Sequence, residues 1–125
     1  MTVTVAEVSG HQVVTLAGEV DIATSPRLRQ RLDLLGDAGS RHLVLDFSAV
    51  TLCDSTGLGV VVSLLKRVIG EGGSLKLAGL RPNIAKVFDV AGMTDMIPTF
   101  PSVAAALAAP GPSATSGPGG DPRGD

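Results

Sequence analysis

Apolar positions follow two rhythms along the chain, and the points where one gives way to the other mark its elements. Residues 2–8 and 12–17 are rich in strand-forming residues and are separated by Ser9-Gly10-His11, which predicts a β-hairpin. Gly18 to Asp21 then leads out of the second strand. Ser25-Pro26 reads as a helix N-cap followed by a proline in the first turn, where a missing N–H costs nothing. The helix carries Leu28, Leu32 and Leu35 on one face and stops at Gly36 and Gly39. Leu43, Val44, Leu45 and Phe47 form an apolar run of the kind buried on both faces of a sheet. After a polar turn, Leu58, Val61, Val62, Leu65 and Ile69 recur at one-face helical spacing and are assigned to the core. Glu71-Gly72-Gly73 closes that helix.

The remaining segments continue the alternation. Ser74 to Ala78 reads as a strand with Leu75 and Leu77 on one side, and Pro82 opens a helix bearing Ile84, Val87, Phe88 and Ala91. Gly92 is placed to cap it. Met96 and Ile97 suggest a short last strand, and residues 101–108 a last helix with Val103 and Leu107 facing inward. Strands and helices alternate from Leu43 onward, which favours parallel pairing through βαβ crossovers. The expectation is an α/β domain: a mixed sheet of about five strands packed with about four helices.

The centre of the chain is the turn Cys53-Asp54-Ser55-Thr56-Gly57, which sets two hydroxyls at a helix start. Such a start holds unpaired N–H groups and the positive end of the helix dipole. A hydroxyl there either caps the helix or carries a phosphate that the dipole tolerates. Local sequence leaves both readings open for Ser55. Asp54 is equally open between an N-cap and a charge on a recognition surface.

The strand followed by D-F-S-x-V-x-x-x-D-S-T-G-L-G-V, from Asp46 to Val60, resembles the central motif of the STAS family, the anti-sigma factor antagonists of bacteria. Gly18-Glu19-Val20-Asp21 resembles the family's G-E-hydrophobic-D element, and Gly79-Leu80-Arg81-Pro82 through Gly92 resembles its third helix and flanking turns. The likeness runs over about residues 1–108, in the family's order, with Cys53 standing where a larger apolar residue is usual. It implies a single STAS domain over residues 1–108. It also implies that Ser55 is the residue phosphorylated by a partner kinase, with Thr56 serving capping and turn geometry. Asp54 and Asp21 would help to define the surface that the kinase reads. Gly57 and Gly59 would shape the backbone close to the partner. Val60 and Leu64 extend the apolar arc of the helix; they are either covered by neighbouring helices or, if exposed beside Ser55, a docking strip.

Composition narrows the function classes. The chain has 125 residues, 44% hydrophobic but only 2% aromatic, so its core rests on Leu, Val, Ala and Ile. A net charge of −2 without a basic cluster argues against nucleic acid and against an anionic membrane surface. No apolar run approaches a membrane span, and a single cysteine fits a cytoplasmic setting. Residues 109–125 are rich in Gly and Pro and read as a disordered tail, in which Arg123-Gly124-Asp125 is a chance resemblance to an integrin-binding tripeptide.

Enzymatic readings fail on particular residues. Val62 replaces the third glycine of a dinucleotide fingerprint, no phosphate-binding loop is present, and Cys53 occupies the first glycine position of a nucleophile elbow. His11 and His42 lack further ligands at metal-binding spacing. No catalytic constellation, cofactor or metal site is expected. The resemblance therefore implies a regulatory switch, not an enzyme. Its partners would be an anti-sigma factor acting as a serine/threonine kinase and a serine phosphatase. The alternative is a STAS subunit built into a transporter complex or a stress-signalling scaffold, where Ser55 need not be modified.

Overall fold

A computed structural model describes residues 1–109. The hairpin forms as β1 (Thr2–Val8) and β2 (His11–Val20), with only Ser9 and Gly10 left in its turn. Helix α1 (Ser25–Asp37) follows, then β3 (His42–Cys53), α2 (Ser55–Gly70), β4 (Ser74–Ala78) and α3 (Pro82–Val90). A 3-10 turn at Met93–Asp95, the two-residue β5 (Thr99–Phe100) and α4 (Val103–Ala108) complete the described chain. The sheet runs β1-β2-β3-β4-β5, with β1 antiparallel to β2 and every other neighbour parallel. This is the expected mixed sheet of five strands with four α-helices.

Strand alternation sorts the core into two layers. Val14, Leu16, Leu43, Leu45, Phe47, Leu75 and Leu77 point to one face, where Leu28 and Leu32 of α1, four residues of α2, and Ile84 and Phe88 of α3 cover them. Phe47 and Phe88 meet edge to face at 5.6 Å, the favoured aromatic geometry. Val13, Val44 and Ala78 point the other way and are covered by Ala106, with Phe100, Val103 and Leu107 beside them. β4 lies between both layers, so all five of its residues are buried.

One of those five is Lys76, 1% exposed. Its Nζ donates to the carbonyl of Ala106 at 2.9 Å and sits 5.6 Å from the Phe100 ring centroid. Burial lowers its pKa. The ammonium thus serves a carbonyl near the carboxyl end of α4, the end where a cation is favoured.

Three local expectations change. Met96 and Ile97 form no strand: the backbone turns through Met93–Asp95, Ile97 drops into the core, and the ladder with β4 starts at Thr99. Ser25 is the buried first residue of α1, not its cap; Thr24 holds the cap position without a side-chain capping bond. The core face of α2 consists of Gly57, Val60, Val61, Leu64 and Val68. Leu58, Val62 and Leu65 are only partly buried, and Ile69 is 59% exposed. The cause is that α2 is apolar around most of its circumference, so two stripes fit helical spacing and packing against α1 and the sheet selects one. Gly92, at φ 76, takes the left-handed conformation that follows the end of α3, as expected. The tail expectation for 109–125 lies almost wholly outside the described residues.

Candidate functional site

β3 and α2 meet at the carboxyl end of the parallel strands. Val20 pairs with Cys53, and the Asp54 N–H donates to the Val20 carbonyl at 3.1 Å, so the loop after β2 and the turn before α2 lie side by side. Asp54 takes the extended conformation of an N-cap (φ −96, ψ −171). Its Oδ1 accepts from the N–H of Thr56 at 2.9 Å, the N–H of Gly57 at 3.3 Å and the Thr56 hydroxyl. These bonds hold the Asp54 carboxyl below the usual carboxylate range. The Thr56 hydroxyl contributes most, burial opposes it, and the N–H groups of Gly57, Thr56 and Ile22 assist. The result is an ionised carboxylate on the positive end of α2.

The second carboxylate shapes its own loop. Asp21 Oδ1 accepts from the N–H groups of Ala23 and Thr24, both at 3.0 Å. The Asp21 N–H donates to the Thr24 hydroxyl at 2.9 Å, and that hydroxyl donates to the Glu19 carbonyl at 2.8 Å. This closed turn leads into α1 and leaves the Ile22 side chain 75% exposed.

Ser55, directly after Asp54, is the exposed first residue of α2, and its hydroxyl makes no hydrogen bond among the described residues. Asp54 has taken the cap. Thr56 is half-buried and its hydroxyl is engaged by that same carboxylate. The two adjacent hydroxyls are therefore inequivalent, one bound inward and one presented to solvent.

The other sequence candidates divide by burial. Gly59 is exposed, with nothing within 4 Å of the place where a Cβ would sit. Gly57 is buried: an added Cβ would lie 2.7 Å from Cys53 Sγ and 2.8 Å from Val20 Cγ1, so its role is close packing of the helix start on the strand ends. Val60 and Leu64 are 3% and 5% exposed and belong to the main core. They form no docking strip. Leu32 of α1 joins them at the floor of a narrow α1–α2 groove walled by Arg29, Asp33, Ser63 and Arg67. Arg67 bonds Asp37 at 2.9 Å and Glu71 at 3.4 Å. The Cys53 thiol, pushed up to about 11 by burial and then by the Asp54 charge, is no nucleophile.

An apolar surface next to Ser55 exists elsewhere. Leu58, three residues after Ser55, lines an open groove of about 400 Å³ with Lys86, Val87, Val90 and Ala91 of α3. Val90 is 80% exposed. Sequence reasoning placed Leu58 and Val87 in the core and passed over Val90 and Ile22. A signal was available: Val90 falls far round the helix from Ile84 and Phe88, which fix the inner face of α3. Among the described residues no helix is long and apolar enough to cross a membrane, and no three potential metal ligands cluster.

Residues 2–106 match the STAS domain family. The chain is also 42% identical over 84 residues to the anti-sigma-B factor antagonist of Bacillus subtilis (strain 168), a match covering 67% of this chain and 76% of the relative. The chain belongs to the STAS family of anti-sigma factor antagonists. Its fold is similar to the crystal structure of an anti-sigma factor antagonist from Mycobacterium paratuberculosis. That similarity has a TM-score of 0.79 at 26% identity and covers 85% of this chain and 90% of the other. At 20% identity it also resembles the antagonist SpoIIAA of Bacillus, solved in a phosphorylated form, with a TM-score of 0.64 over 78% of this chain and 90% of that one. This STAS domain thus carries its inequivalent hydroxyl pair on an anti-sigma factor antagonist scaffold.

Proposed function

We propose that this antagonist works as a phosphorylation switch at Ser55. Unphosphorylated, it binds an anti-sigma factor that is itself a serine kinase, and so frees a sigma factor for transcription. The kinase transfers phosphate to Ser55, which ends the binding, and a serine phosphatase restores it. The observation that carries this reading is the hydroxyl pair: Asp54 caps α2 and binds Thr56, while Ser55 is exposed and unengaged. A serine needed as a cap would be in the cap position and bonded inward.

The surroundings of Ser55 suit binding before phosphorylation and release after it. Ile22 and the Leu58–Val87–Val90 groove offer apolar contacts, with Lys86 at the rim. Phosphate adds about −1.5 to −2 charges at a point already flanked by the ionised Asp54. The dipole of α2 favours that phosphate by only ~0.3–1 kcal/mol, which keeps the phosphoprotein folded without offsetting the charge, bulk and hydration that phosphate adds to the interface. Gly59 lies open one turn along, so a partner backbone can approach closely there.

The test is a pair of variants against the cognate anti-sigma factor. Ser55→Ala is expected to bind and resist phosphorylation, and Ser55→Asp to fold normally and bind poorly. Equal binding by both would remove Ser55 from the interface.

A further inference from the structure

The two edges of the sheet are unlike. β5 has two residues, with Pro98 just before it and Pro101 directly after, so it offers almost no ladder for another strand. β1 has seven residues and pairs with β2 along its whole length, from Thr2↔Ala17 to Val8↔His11, without a register shift. Its other side is unpaired among the described residues. Folded proteins blunt such edges with lysine, proline, a bulge or shortness. β1, TVTVAEV, has none of these, and its one charge, Glu7, lies next to its last residue.

The strand is also nearly the same read in either direction about Thr4. Thr2-Val3-Thr4-Val5-Ala6 reversed is Ala-Val-Thr-Val-Thr, small and β-branched at every position but one. Val3 and Val5 are partly buried against the main core, whereas Thr2, Thr4 and Ala6 are exposed on the opposite face. A two-fold axis through Thr4 would set Val3 against Val5 of a second copy on the core side. On the other side it would set Thr4 against Thr4, and Thr2 against Ala6. Each of these pairs is of a favourable cross-strand type, and Glu7 falls opposite Met1 at the ends of the ladder. Shifting the axis to Val5 sets Glu7 against Val3, and shifting it to Ala6 sets Glu7 against Val5. Glu7 therefore disfavours both of those registers, and an axis at Val3 would pair only residues 1–5, so the Thr4 axis gives the longest ladder without a Glu7–valine pair.

We infer that β1 pairs antiparallel with β1 of a second copy about a two-fold axis at Thr4, joining two five-stranded sheets into one of ten. Such an interface is isologous and closed, so it ends at the dimer. β2 separates β1 from β3, which leaves each Ser55 surface outside the contact.

The register makes the test specific. In the dimer the two Thr4 Cα atoms stand about 4.5–5.5 Å apart, within disulfide range. The two Thr2 Cα atoms stand about 14 Å apart, beyond it. Mild oxidation of the full-length protein should cross-link Thr4→Cys nearly completely, and Thr2→Cys or Ala6→Cys alone hardly at all. A mixture of Thr2→Cys and Ala6→Cys chains should give the heterodimer. Wild type, whose Cys53 is buried, is the control. Light scattering should give wild type twice the 12.6 kDa mass of one chain. Thr4→Lys, which opposes two ammonium groups at the axis, should give a monomer with an unchanged circular dichroism spectrum. A monomeric wild type at tens of micromolar, a Thr4→Lys variant that is still a dimer, or a dimer that Thr4→Cys fails to cross-link would each overturn the inference.

Discussion

Asp54 and Thr56 are joined by two hydrogen bonds, through the Thr56 N–H at 2.9 Å and through its hydroxyl, while the adjacent Ser55 faces solvent. One carboxylate caps the helix and engages the Thr56 hydroxyl, while the Ser55 hydroxyl stays exposed. Asp54→Ala should therefore lower the thermal midpoint and also free the Thr56 hydroxyl as a rival phosphate acceptor, whereas Asp54→Asn should keep most of the cap. Thermal melts together with phosphosite mapping check both parts. Strict Ser55 selectivity in Asp54→Ala would show that the kinase alone sets the choice.

Gly57 and Gly59 should respond oppositely to alanine. At Gly57 a Cβ meets Cys53 Sγ and Val20 Cγ1 at 2.7 and 2.8 Å, an overpacking that should cost about 1–3 kcal/mol. Removing the sulfur in a Cys53→Ala background should recover part of it. At Gly59 the space is open, so alanine should gain about 0.5–1 kcal/mol of helix stability. Urea titrations of the three variants settle the order.

The face of α2 is tested by a contrast. Leu64→Ala should cost about 2–5 kcal/mol because its side chain is buried in the main core, and Ile69→Ala less than about 0.5 kcal/mol. Val90→Asp, on the exposed side of the α3 groove, should leave stability almost unchanged while weakening the anti-sigma factor complex. Calorimetric titration that finds Val90→Asp binding as wild type does would remove the groove from the interface.

Stability should fall between neutral and mildly acid pH through His42. Burial first, then the charges of His11, Arg41 and Lys76, lower its pKa below 6.5, and its Nδ1 lies 3.1 Å from Ser74 Oγ. Because the folded pKa is the lower one, the unfolded chain binds the proton first on acidification. Stability present above 6.5 is then lost as pH falls toward the folded value. Denaturation midpoints at about pH 7.5 and about pH 5.5 should differ less in His42→Gln than in wild type.

The order and type of the elements were legible because strand alternation and helical spacing leave separate marks: Val13 and Val14 already point to opposite layers. What sequence could not decide was rotation. In α2 the run Val60-Val61-Val62 and the pair Leu64-Leu65 supply an apolar residue in most directions, so Leu58 and Ile69 read as core until α1 and the sheet claim Val60, Leu64 and Val68. Asp54, Ser55 and Thr56 were visible as a group from the motif. The resemblance already set Ser55 apart from Thr56, but local sequence left open which side chain caps α2, and only the structure shows that Asp54 does so and bonds the Thr56 hydroxyl. Ile22 was missed because a lone apolar residue in a loop carries no period, and only the Asp21 turn shows that it points outward.

The central claim is that Ser55, and not Thr56, receives the phosphate. Incubation with the cognate kinase and ATP, followed by mass spectrometry of the peptide spanning Asp54 to Gly57, tests it directly. The account predicts a single phosphate on Ser55, unchanged in Thr56→Ala and absent in Ser55→Ala. Phosphate on Thr56 of the wild-type protein, or on neither residue, would contradict it.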